Sequence, residues 1–195
     1  RRWLYRLSFG SANPGQSPAE LEYEQLLRRV RQPVRGNYKI AVLSMKGGVG
    51  KTTTTTGLGS TFAALRGDRV IAYDANPDFG TLAYRIHRDS DRTVRDLLAD
   101  KAVHSYSDVR SYTSQARSRL EVLASERDPS VSEAFNERDY IAALRILESF
   151  YNIILTDCGT GLMNSAMAGV LKEADALVLV SSAAKDGARS AGATL

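Results

Sequence analysis

Apolar residues recur along this chain in short blocks whose spacing switches between that of a strand and that of a helix. Tyr38-Lys39-Ile40-Ala41-Val42-Leu43 is a nearly continuous apolar block rich in β-branched residues, as a buried strand requires. Thr52 to Arg66 follows with Leu58, Phe62 and Leu65 on one helical face. Arg69 to Asp74 predicts a second strand, Thr93 to Leu98 a short helix, and Leu120 to Ala124 a third strand. Asn136 is placed to cap a helix in which Tyr140, Ile141, Leu144 and Leu147 recur at helical spacing. Residues 151–156 read as a strand, Asn164 to Lys172 as a helix and Ala176 to Val180 as a strand, and a further helix begins at Ala183. This alternation predicts an α/β fold, a parallel sheet with helices on both faces.

The first 37 residues stand apart from that rhythm. Ser17-Pro18-Ala19-Glu20 is a capping box with proline at the first helical position, and it opens a helix whose Tyr23, Leu26, Leu27 and Val30 share a face until Pro33. Seven arginines face three glutamates before the strand at 38, so residues 1–37 form a basic extension and residues 38–195 the main domain. The extension either caps the domain edge or docks to a partner or anionic surface. The chain opens on Arg1-Arg2-Trp3 without an initiator methionine and reads as a segment of a longer protein.

Composition narrows the classes. At 43% hydrophobic and 25% charged residues, 195 residues suffice for one sizeable core. No apolar run reaches the ~18 residues of a membrane span and no secretory signal precedes the fold, which predicts a cytoplasmic protein, peripheral at most to the inner face of the plasma membrane. The single cysteine, Cys158, cannot form an internal disulfide and reads as a small buried residue. His87 and His104 lack metal-ligand spacing and read as surface residues.

The chemistry concentrates between the first strand and the first main-domain helix, in Ser44-Met45-Lys46-Gly47-Gly48-Val49-Gly50-Lys51-Thr52-Thr53. Glycines there let backbone N–H groups turn in on an anion at the positive end of a helix dipole. Lys51 is placed to reach the outer phosphates and the Thr52 hydroxyl to ligate Mg²⁺. The common phosphate-loop pattern needs glycine where this chain has Met45. What stands here is Lys-Gly-Gly-x-Gly-Lys-Thr, with a second lysine, Lys46.

That run resembles the deviant Walker A motif of the MinD/ParA (SIMIBI-class) P-loop ATPases. The resemblance implies ATP with Mg²⁺ as cofactors, bound by Lys46 to Thr53, and a homodimer closing face to face over two nucleotides. Lys46 would reach the phosphates held by the partner protomer and stabilise the transferring phosphoryl group together with Lys51. Tyr73-Asp74-Ala75-Asn76-Pro77-Asp78-Phe79-Gly80 resembles the family's switch segment, and the strand carrying Asp157 its Walker B. Asp74 is then expected near Mg²⁺ and Asp157 in the metal's shell close to Thr52. Asn76 stands where the family has a second aspartate, so hydrolysis is expected to be weak. Asp78 either supplies the missing carboxylate or merely caps the loop. The likeness covers residues 38–195, roughly the first two-thirds of such a domain, so adenine recognition rests on analogy alone.

Softer features point to a subgroup. The basic Trp-containing start, the Ser-Pro-Ala-Glu helix, the Asp-Ala-Asn-Pro-Asp segment and the Asp-Cys-Gly-Thr-Gly turn resemble the EspI-like, MinD-family ATPases of mycobacterial type VII (ESX) secretion loci. That implies an ATP-dependent switch regulating secretion through a membrane-associated machinery partner. Two other readings remain: a ParA-like DNA-partitioning ATPase, given the formal charge of +4 and pI ≈ 9.3, and a nucleotide-binding scaffold with little hydrolysis. The scattered tyrosines argue against a tyrosine kinase, and one cysteine cannot bridge the cluster of a nitrogenase iron protein.

Overall fold

The computed structural model describes residues 16–44, 46–75, 80–125, 136–160 and 165–182. The chain divides into two compact units, residues 1–33 and residues 34–195.

In the first unit, helix α1 spans Pro18–Val30. The Ser17 hydroxyl accepts from the Glu20 N–H at 3.2 Å and the Glu20 carboxylate accepts from the Ser17 N–H at 2.6 Å, which closes the expected capping box. None of its residues is buried.

The second unit is built on six strands among the described residues: β1 (Tyr38–Ser44), β2 (Val70–Ala75), β3 (Ser114–Gln115), β4 (Glu121–Leu123), β5 (Ile153–Thr160) and β6 (Ala176–Leu179). Their order is β3-β4-β2-β5-β1-β6, parallel throughout except for the antiparallel β3. Between them lie α2 (Lys51–Leu65), a 3₁₀ turn at Leu82–Arg85, α3 (Val94–Ala99), α4 (Tyr106–Arg110), α5 (Glu137–Glu148) and α6 (Ser165–Glu173).

Period-two alternation sorts each strand between two cores. Ala41, Leu43, Ile71, Tyr73 and Ile154 pack with Leu97, Tyr140, Leu144, Leu147 and Met167 on one side. Ile40, Val42, Val70, Ala72 and Leu155 pack with Ala63, Leu82 and Leu120 on the other. Leu97, Leu144 and Leu147 are wholly buried, each contributing about 1.5–3 kcal/mol of transfer free energy. As the sequence predicts, Asn136 caps α5, its side-chain oxygen accepting from the Arg138 and Asp139 N–H groups.

The helix expected over 52–66 is present as α2, and one strand boundary needs correction. α2 buries Lys51, Thr55, Gly59 and Ala63, while Leu58 and Phe62 are only half-buried at its rim. The helix lies so close to the sheet that a Cβ on Gly59 would come within 2.9 Å of Leu120 Cδ1; a small-residue row, not a leucine face, sets that approach. β5 also runs past residue 156 through Asp157 and Cys158 to Thr160, because Asp74, Ala75 and Ser44 pair with Asp157, Cys158 and Thr160 on its two sides. The Asp-Cys-Gly-Thr stretch is therefore strand, and not the start of a turn.

Candidate nucleotide site

β1 ends at Ser44 with a register irregularity between Val42 and Ser44, and the chain enters the glycine loop there. Gly48 and Gly50 have φ of +74° and +99°, a left-handed backbone that costs a residue with a Cβ about 1–2 kcal/mol. A Cβ at either would meet nothing within 4 Å. Backbone conformation, not space, therefore selects glycine at these positions. Gly50 is the N-cap of α2 and brings no side chain to its first turn, so N–H groups at the head of this 15-residue helix are left for water or an anion.

Lys51, the first residue of α2, is 8% exposed, and its Nζ donates to Asp157 Oδ1 at 2.9 Å. The Thr55 hydroxyl, one helical turn on, lies 3.4 Å from the same oxygen. Asp157 is itself 1% exposed, so the attraction between lysine and carboxylate offsets the cost of burying the two groups. Asp74 is the register partner of Asp157 on the adjacent parallel strand, which places both carboxylates on the sheet face covered by α2. The Asp74 carboxylate accepts from the Leu82 N–H at 3.0 Å and so anchors the head of the 3₁₀ turn. Gly80 closes over it, and a Cβ there would collide with Asp74 Oδ2 and Ser125 Oγ.

The loop's outer side is open. Lys46, Gly47, Gly48 and Thr53 are exposed, while Val49 and Thr52 are half-buried. The Ser44 hydroxyl donates to the Lys46 carbonyl at 3.1 Å. Met45, Asn76 and Asp78 lie outside the described residues. The structure thus gathers Lys51, Asp157 and Asp74 at one end of the sheet and leaves Lys46 exposed to solvent. It adds Thr55, which no motif names; its spacing of four from Lys51 is the signal that puts it on the same helical face.

Cys158 is 1% exposed, and burial pushes its thiol up to about 12, with the Lys51 charge opposing that shift only in part. Such a thiol is no nucleophile at neutral pH. His87 and His104 are exposed.

A Mg²⁺–nucleotide fits this donor set. Mg²⁺ takes one or two carboxylates plus phosphate oxygens and water, not a full protein cage. Two buried carboxylates beside a glycine loop at a helix head supply that arrangement.

Comparison with known proteins agrees. The profile of the "CobQ/CobB/MinD/ParA nucleotide binding domain" matches residues 40–176. ESX-1 secretion-associated protein EspI of Mycobacterium tuberculosis is 41% identical over 195 residues, covering all of this chain. The chain spans 29% of that relative's length. The solved ParA family ATPase from Chlorobium tepidum superposes with a TM-score of 0.71 at 19% identity, over 80% of this chain and 65% of that one. The septum site-determining protein MinD complexed with Mg-ADP from Pyrococcus horikoshii superposes at 0.65 with 25% identity, over 79% and 61% of the two chains. The chain belongs to the CobQ/CobB/MinD/ParA nucleotide-binding domain family, with the MinD/ParA-type P-loop fold and a resemblance to EspI along its whole length.

Proposed function

We propose that this chain binds ATP with Mg²⁺ at the β1–α2 loop and acts as a dimerising switch within a larger secretion-associated protein. The observation that carries this reading is the buried Lys51–Asp157 pair beside a loop built on left-handed glycines. In it, Lys51 exchanges Asp157 for phosphate oxygens, and loop N–H groups hold the remaining phosphate charge. Thr52 and Asp157 would hold Mg²⁺, which when bound neutralises charge on the phosphates. Asp74, fixed by the Leu82 N–H, keeps a second carboxylate next to that metal shell. Lys46, exposed on the outer side of the loop, is free to reach a nucleotide held by a second protomer.

Turnover is the weak step in this scheme. Asn76 cannot accept a proton, so hydrolysis depends on Asp78 or on a partner protein. The likeness to EspI supports a role in secretion, exercised at the cytoplasmic side of the membrane. Among the described residues no helix is long and apolar enough to cross a membrane.

Calorimetric titration with ATP–Mg²⁺, paired with phosphate release, tests the scheme. Wild type and Lys46→Ala should bind ATP alike, and Asn76→Asp should release phosphate faster than wild type. Absence of ATP binding by the wild type would end the nucleotide reading, whereas a silent wild type with an active Asn76→Asp would favour a scaffold. The positive charge keeps DNA binding as the alternative reading, not the favoured one. A flat low-salt gel shift with ATP present would remove it.

A further inference from the structure

Helix α1 is amphipathic around its axis and sorted by charge along it. Ala19, Tyr23, Leu26, Leu27 and Val30 share one face at helical spacing. Tyr23 is 59% and Leu26 49% exposed, so this face is not spent on a core. Glu20, Glu22 and Glu24 occupy the first half, and Arg28 and Arg29 the end.

The helix dipole favours this sign at each end, but it does not dictate where the charges fall around the axis. Glu22 and Arg29 are seven residues apart, two turns, and so lie on one line along the same edge of the apolar face. A second α1 running antiparallel presents that edge reversed. Glu22 then meets Arg29 of the second copy, and Arg29 meets its Glu22, while Tyr23 and Leu26 pack against Leu26 and Tyr23. A parallel copy would instead align the acidic half with the acidic half.

We propose that α1 is a self-recognition element that pairs antiparallel with α1 of a second copy of this chain. Charge complementarity selects a second copy as the occupant, because Glu22 and Arg29 of one helix match Arg29 and Glu22 of the other. With only 13 residues, the pair falls short of the roughly 1,200–2,000 Å² of a stable interface. It is therefore weak alone, and it consolidates a dimer already held elsewhere by raising the effective concentration of each helix for the other. This consolidating role rests on the nucleotide-dimer reading above; the pairing itself does not.

The experiment mixes full 195-residue chains carrying Glu22→Cys with chains carrying Arg29→Cys under mild oxidation, without nucleotide and with ATP. Buried Cys158 is a silent background. Antiparallel pairing yields the mixed disulfide at least about threefold above the two homodisulfides, and ATP raises that yield. In sedimentation, Glu22→Arg or Arg29→Glu alone weakens self-association about tenfold, and the two together restore it to within about twofold. Homodisulfides in excess, or charge swaps that add instead of compensating, overturn the proposal. So does flotation of the wild type, but not of the swaps, with phosphatidylglycerol vesicles in place of pairing. A mixed disulfide that forms without nucleotide and ignores ATP supports the pairing and counts against the nucleotide dimer alone.

Discussion

Lys39 and Lys51 stand at opposite ends of strand β1, one near its start and one just past its end, and each meets a carboxylate at 2.9 Å. Their surroundings differ. Lys39 is held by Glu148 and, at 3.7 Å, by Glu173, and both glutamates are also bridged by Arg145. The Lys39 N–H donates to Asp175, whose own N–H returns a bond to the Lys39 carbonyl. This redundancy ties β1 to α5 and α6 and lets one partner be lost while the others compensate. Lys51 is more deeply buried and shares a single carboxylate oxygen with Thr55. A network with spare partners locks a structure, whereas one buried pair at a glycine loop can be exchanged for a ligand.

The largest effect should follow from Lys51→Ala. It strands Asp157 uncompensated in the interior, at a cost of about 3–5 kcal/mol, and it abolishes ATP binding. Thermal melts and calorimetry would read both. Asp157→Asn together with Lys51→Met should regain much of the stability and none of the binding, separating the two roles. A Lys51→Ala protein that melts like wild type would mean that the pair is incidental.

Gly50→Ala should cost about 1–2 kcal/mol, because the left-handed φ and not a steric contact is violated. It should also weaken ATP binding by deforming the loop. Gly67→Ala, at a position where a Cβ meets nothing and no left-handed φ is required, serves as the control and should be neutral within about 0.5 kcal/mol.

Lys39→Ala should cost only about 1 kcal/mol, since Arg145 keeps both glutamates paired. Its clearest signature is in pH. Burial opposes the Glu148 charge, yet hydrogen bonds from Lys39 and Arg145 outweigh it and hold the carboxyl below its ordinary range. A depressed folded value means that the contribution is present above the unfolded carboxyl range, near about 4, and is lost as pH falls through the folded value. Glu148→Gln should therefore flatten the acid limb of a stability–pH curve and leave nucleotide affinity unchanged.

The two ends were not equally legible from sequence. Lys46, Lys51 and Thr52 announce themselves by spacing, and the alternation of Ile40 and Val42 against Ala41 and Leu43 predicts a strand buried on both faces. The bed of α2 was not legible because Thr55, Gly59 and Ala63 carry little hydropathy; their function is to be small or to bond Asp157. β3 is two polar residues, Ser114 and Gln115, paired at an edge, and has no pattern to detect. α4 carries the signal Ser105-x-x-Asp108, and the Ser105 hydroxyl does accept from the Asp108 N–H. The Lys39 network joins residues more than a hundred positions apart, which no local pattern encodes.

The mass of the protein in solution at low micromolar concentration, by light scattering with ATP, ADP or no nucleotide, bears most directly on the switch. A doubling of mass with ATP–Mg²⁺ alone, abolished in Lys46→Ala although that variant still binds ATP, is the predicted result. A monomer in every nucleotide state, or a Lys46→Ala protein that doubles with ATP as the wild type does, would contradict it.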